Sequence, residues 1–106
     1  MSLEAQILSE ATFAANAAAE EAAKLIPEGQ IYCGSAWLTI RPARGPFVAY
    51  LKKIGRGERG DYGGYTLTIR LAKDTQQLAI REAAQRAAKL VLAEYGIKAF
   101  VNTYSN

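Results

Sequence analysis

The 106-residue sequence contains no histidine and a single cysteine, Cys33. Histidine is the commonest general base and the commonest metal ligand. Without it, Ser-His-Asp and Cys-His nucleophile systems are excluded, and one thiol alone cannot build a thiolate or imidazole zinc site. A lone cysteine cannot close an intramolecular disulfide, which suits a reducing cytoplasm. Cys33 reads as a small apolar residue at a strand edge. Aspartate is scarce too: Asp61 and Asp74 are the only two, and neither has a second carboxylate spaced for paired acid–base work. We therefore expect a non-enzyme with no cofactor and no metal. No apolar run approaches the roughly 20 residues that a membrane-spanning helix needs. Glu4 and Glu10 stand where a signal peptide carries positive charge, so the expected location is the cytoplasm.

Half of the residues are hydrophobic and 22% are charged, which is globular composition, and the length fits one domain over 1–106. The net charge of +3 conceals a division. Residues 1–28 carry five glutamates against Lys24 alone, whereas residues 29–106 carry twelve bases against five acids. The basic density peaks at Arg41, Arg44, Lys52, Lys53, Arg56 and Arg59, opposed within that span only by Glu58. Such a split points either to a polyanion on the basic part or to a basic partner for the acidic part.

Residues 3–26 follow helical spacing. Leu3, Ile7, Leu8, Ala11, Ala15, Ala18, Ala22 and Leu25 or Ile26 share one stripe, and Ser9, Thr12 and Asn16 share the polar side. The alanines predict close approach of another helix, within the chain or between subunits, and Pro27 and Gly29 end the pattern. Residues 30–41 then alternate with period two. Ala36, Leu38 and Ile40 point one way, and Ser35, Trp37, Thr39 and Arg41 point the other. Gly45 and Pro46 open a short amphipathic helix that buries Phe47, Val48, Leu51 and Ile54 and that Gly55 closes.

The stretch 55–65, GRGERGDYGGY, holds five glycines. Gly55, Gly57 and Gly60 match the spacing of a dinucleotide fingerprint. The context is reversed, however, because a helix precedes them and a strand follows. The stretch reads as a mobile basic loop tethered at its far end by Tyr62 and Tyr65. Residues 65–71 form the next predicted strand, with Tyr65, Leu67, Ile69 and Leu71 on one face and Thr66, Thr68 and Arg70 on the other. Asp74 and Gln77 predict a capped start to a helix running to Tyr95. Its buried stripe is Ile80, Ala84, Ala87, Ala88, Val91 and Tyr95, with Arg81, Gln85 and Lys89 in water. Gly96 turns the chain into a last strand over 98–104.

The expected fold is thus α+β or small α/β, in the order helix, strand, helix, strand, helix, strand. It is a two-layer domain with a three-stranded sheet covered by helices: an alanine-rich helix over 1–27 and a β-α-β-α-β core over 30–104. Both strand-to-strand connections contain a helix and are long enough for parallel crossovers. If the helices lie on one side, the other sheet face presents Trp37, Thr39, Arg41, Thr66, Thr68 and Arg70. To these the last strand adds either Phe100, Asn102 and Tyr104 or Ala99, Val101 and Thr103. Aromatics and arginines on an open sheet beside a basic loop suit single-stranded nucleic acid, since bases stack and phosphates pair. The candidate binding residues are Trp37, Arg41, Arg44, Lys52, Lys53, Arg56, Arg59, Tyr62 and Arg70. The competing expectation is a protein-interaction module or homodimer that uses the alanine-rich helix and the sheet face.

The run AWLTIRPARGPFVAYLKKIGRG, then YGGYTLTI, a helix, and GIKAFVNTYS resembles small uncharacterised proteins encoded by bacteriophages and prophages. The resemblance covers about residues 30–104 and brings no established activity. It implies a phage-associated setting in the host cytoplasm and a binder of nucleic acid or of host or phage protein rather than a metabolic enzyme.

Overall fold

The computed structural model describes residues 1–27, 32–60, 62–73 and 75–105. Three helices and four strands follow in the order α1 (Leu3–Leu25), β1 (Gly34–Ile40), α2 (Pro46–Lys53), β2 (Glu58–Arg59), β3 (Tyr65–Leu67), α3 (Leu78–Glu94) and β4 (Ala99–Ser105). The expected stop at Gly29, the strand start at Gln30 and the Asp74 cap lie outside the described residues.

Local chemistry accounts for most helix ends. Ser2 caps α1 by accepting a hydrogen bond from the Ala5 amide at 3.1 Å. Gly45, at φ 111°, precedes Pro46 at the start of α2, as the Gly-Pro pair predicts. Helix α3 starts later than expected, at Leu78, because the chain before it docks on the sheet. The Leu78 amide donates to the Tyr32 carbonyl at 2.8 Å, and Gly34 donates to the Gln76 carbonyl at 3.2 Å.

The sheet has four strands in the order β2-β3-β1-β4, one more than expected, and every neighbouring pair is antiparallel. The extra strand comes from the glycine-rich stretch, which forms a hairpin with β3 instead of a free loop. This hairpin also explains the antiparallel sheet. Strands β1 and β2, joined through α2, both run antiparallel to β3 and so run the same way; β3 and β4, joined through α3, do likewise. Each helical connection therefore returns the chain in one direction, as a crossover does, but a third strand intervenes between the two it joins.

All three helices pack on one face. Ile7, Ala11 and Ala15 of α1, Phe47, Val48 and Leu51 of α2, and Ala84, Ala88 and Leu92 of α3 share one core with Leu38, Ile40, Tyr65, Leu67 and Ala99. The buried alanines on α1 and α3 let these two helices pack closely, the tightest helix pairing of the fold. Among the described residues no helix is long and apolar enough to cross a membrane.

Two side chains assigned to the wet surface turn out to hold the fold. Gln85 is only 1% exposed. Its Oε1 accepts from the Ile69 amide and its Nε2 donates to the Ile69 carbonyl, both at 3.1 Å. The β1–β3 register pairs Leu38 with Leu67; carried two residues on, it would set Ile69 against Ala36. The Gln85 carboxamide takes that place, so β3 ends at Leu67 rather than at Leu71. From α1, Asn16 Nδ2 donates to the Arg70 carbonyl at 3.1 Å and its Oδ1 accepts from the Ala72 amide at 2.6 Å. The buried face of α3 is accordingly turned toward Gln85 and Leu92 and away from the more purely apolar stripe expected.

Gln85→Leu keeps the bulk but orphans both Ile69 backbone groups, and we expect it to lower the unfolding free energy by about 2–4 kcal/mol, read from urea denaturation. A second link joins α3 to α1, where the Tyr95 hydroxyl donates to Glu10 Oε2. That hydrogen bond to Glu10 raises the Tyr95 pKa above its ordinary value of 10.0. A raised pKa means a contribution that is complete below pH 10 and disappears as pH climbs through the folded value. Wild-type protein should therefore lose thermal stability in alkali more steeply than Tyr95→Phe, measured as Tm across that range.

Candidate functional site

Register decides which side chains reach the uncovered face. Trp37 is paired with Asn102, Thr39 with Phe100 and Ser35 with Tyr104, so Phe100, Asn102 and Tyr104 stand beside Trp37, while Ala99 and Val101 turn to the core and Thr103, on their side, is exposed at its margin. The two alternatives for β4 are resolved in favour of the aromatic phase. Phe100 is 45% exposed and Tyr104 63% exposed, and Trp37 is half-buried between the flanking strands. Diagonal neighbours on one sheet face lie about 7–8 Å apart, within reach of aromatic side chains, so Trp37, Phe100 and Tyr104 form one aromatic group. The Thr39 hydroxyl donates to Asn102 Oδ1, fixing that amide with its NH₂ group turned away from the bond.

A groove of about 1300 Å³ runs over this face between β1, the β2–β3 hairpin and the segment after β3. Trp37, Arg41, Arg56, Arg59, Tyr62 and Arg70 from the expected set line it, joined by Lys73 and Arg81. Glu58 is its only carboxylate among the described residues. Arg44, Lys52 and Lys53 lie elsewhere. Arg44 is exposed in the turn before α2. Lys52 lies over the Tyr65 ring, 5.8 Å from its centroid, and Lys53 borders a separate hollow with Ser2, Glu4 and Tyr50.

The hairpin wall is built, not loose. Tyr65 OH donates to the Arg56 carbonyl at 2.7 Å, Thr66 Oγ1 to the Glu58 carbonyl at 3.0 Å, and the Gly60 amide to the Gly64 carbonyl at 2.7 Å. Tyr65 is thus the tether, whereas Tyr62 is 88% exposed and anchors nothing. Gly57 has φ +77°, and a Cβ there would meet the Thr66 carbonyl oxygen at 2.4 Å. Only glycine allows the hairpin to press this closely on β3.

On this wall Arg56 Nη2 donates to the Thr68 carbonyl at 3.1 Å. Burial lowers the proton affinity of Arg56 below the ordinary guanidinium value, the charge of Arg70 lowers it further, and Tyr50 partly opposes both. The two ion pairs among the described residues, Lys24–Glu21 and Arg86–Glu82, lie on α1 and α3. Arg56 is therefore held by a carbonyl rather than by a carboxylate. Arg81 shows the same pattern: its Nε donates to the Thr75 carbonyl at 2.8 Å and its Nη1 to the Gly34 carbonyl at 2.7 Å.

Periodicity missed Arg81 and Gln85 because both are polar, and a helical pattern assigns polar residues to water. Their one signal is position: Arg81, Gln85, Ala88 and Leu92 share a stripe beside the alanines. Among the described residues no group of three or more acidic or sulfur ligands could hold a metal ion. No family model, curated protein or solved structure matches this chain.

Gly57→Ala combines a strained φ with a backbone clash, and we expect it to lower stability by about 1–3 kcal/mol. Amide exchange should accelerate first at residues 56–60, read by hydrogen exchange.

Proposed function

We propose that this chain is a non-catalytic binding protein that takes single-stranded nucleic acid along the uncovered sheet face, in the host-cytoplasmic, phage-type setting that its sequence resemblance implies. The observation that carries the reading is the placement of Trp37 and four arginines on one groove, with Phe100 and Tyr104 on the same sheet face beside Trp37. Bases need exposed π-faces, and Trp37, Phe100 and Tyr104 offer them; each stacked base contributes roughly 1–3 kcal/mol. Phosphates need unpaired cations, and Arg41, Arg56, Arg59 and Arg70 border the same groove. Asn102 and Thr66 add polar groups to the groove lining.

The other reading is a protein-interaction module or homodimer, and the exposed Phe13 and Leu25 on α1 favour it. Salt separates the two, because counterion release makes nucleic-acid binding steeply salt-dependent while apolar association is not.

Fluorescence polarisation with labelled single- and double-stranded oligonucleotides across a salt series tests the proposal. Four phosphate contacts to a single strand predict a slope of log K against log salt of about −3. The Arg56→Ala/Arg59→Ala variant should bind more weakly and lose about half of that slope. Flat titrations at low salt would overturn the reading.

A further inference from the structure

Arg56 and Arg70 reach the same groove wall by separate devices, close enough for the charge of Arg70 to act on Arg56. Arg56 is docked on the Thr68 carbonyl, and its own carbonyl is held by Tyr65. Arg70 follows two residues after Thr68, and its backbone lies between the Gln85 clamp on Ile69 and the Asn16 clamp on Arg70 and Ala72. In an extended segment, residues two apart point to the same side. Ile69 is buried in the core, so Thr68 and Arg70 face the groove. Neither arginine forms an ion pair among the described residues.

Holding like charges together costs free energy unless an anion sits between them. Arg56 spends one N–H on Thr68, and Arg70 is exposed, so both retain donors for a shared oxyanion. The charge of an anion that would suit the pair follows from the two guanidinium groups. An internal phosphodiester carries one negative charge and would leave one guanidinium uncompensated. A phosphate monoester carries about −1.5 to −2 at pH 7 and presents three strong acceptor oxygens, enough for both forks.

We infer that Arg56 and Arg70 form a socket for a phosphate monoester, with Lys73 at its rim, and that on the reading proposed above the monoester is the terminal phosphate of a bound strand. The protein then recognises strand ends in preference to strand interiors. The absence of histidine makes this checkable by pH. A phosphate monoester gains its second proton near pH 6, whereas no side chain of this protein has an ordinary pKa between about 5 and 7.

The socket is tested with two probes. Inorganic phosphate is titrated into isotope-labelled protein while the arginine Nε–H signals are followed by NMR. One oligonucleotide sequence is then compared with a 5′-phosphate, a 3′-phosphate or hydroxyl ends, for wild type and for Arg56→Gln and Arg70→Gln. We expect saturable shifts of the Arg56 and Arg70 signals, and roughly ten-fold tighter binding of one phosphorylated end, the gain expected of a charge-assisted pair. That preference should vanish in either variant and fade below about pH 6. Phosphate shifts without oligonucleotide binding would keep the socket, assign it to a free phosphate compound and overturn the nucleic-acid reading. Equal binding of all three ends, with no phosphate shifts, would overturn the socket and leave that reading standing.

Discussion

The architecture depends on two carboxamides that replace a stretch of β-ladder. Gln85 satisfies both backbone groups of Ile69, and Asn16 satisfies one group each of Arg70 and Ala72. An extended chain leaving a sheet would normally carry unpaired amides and carbonyls into the core, at a cost of about 1–3 kcal/mol for each buried group. Gln85 from α3 removes that cost at buried Ile69, Asn16 from α1 adds exposed hydrogen bonds further along, and both long helices are tied to the same strand exit. The chain can then diverge from β1 after Leu67 without breaking the core, and the groove occupies the space this divergence opens.

This constraint shapes the candidate site in two ways. It separates the segment bearing Thr68, Arg70 and Lys73 from β1, so that its side chains form one wall and Trp37 and Asn102 form the floor. It also leaves the Thr68 and Gly34 carbonyls to receive groove arginines, Arg56 and Arg81 respectively. Carbonyl hydrogen bonds position a guanidinium without neutralising it, whereas a carboxylate would do both. The wall is ordered and still carries its charge, the property a site for anions requires. Gly57 completes the design by letting the hairpin lie against β3 at a distance that no side chain would permit.

Much of the fold was legible in residue order. The alanine stripe of α1, the Gly-Pro start of α2, the alternation around Leu38 and the turn at Gly96 each reflect local rules of spacing and backbone freedom. The inward set on β1 and the arginines at 41, 56, 59 and 70 were readable for the same reason. Local rules also misled where two elements share a task. Gln85 and Arg81 look like solvent-facing residues on a helix, yet they sit at a break in the sheet, and Asn16 looks like polar surface, yet it clamps a segment 54 residues away. The hairpin in the glycine-rich stretch was missed because its two strands are separated by the five residues 60–64, and glycine alone signals freedom, not its use.

By itself the sequence determined the three helices, three of the four strands and the sign of the basic half. Composition and short-range periodicity suffice for these, since they depend on residue types and on neighbours within a turn or a strand. Tertiary structure alone decided the strand order, the phase of β4 that puts Phe100, Asn102 and Tyr104 beside Trp37, and the placement of Arg56 and Arg70 on one groove wall. Each of these is a pairing between segments far apart in the chain, set by which backbone groups find partners once the helices have packed.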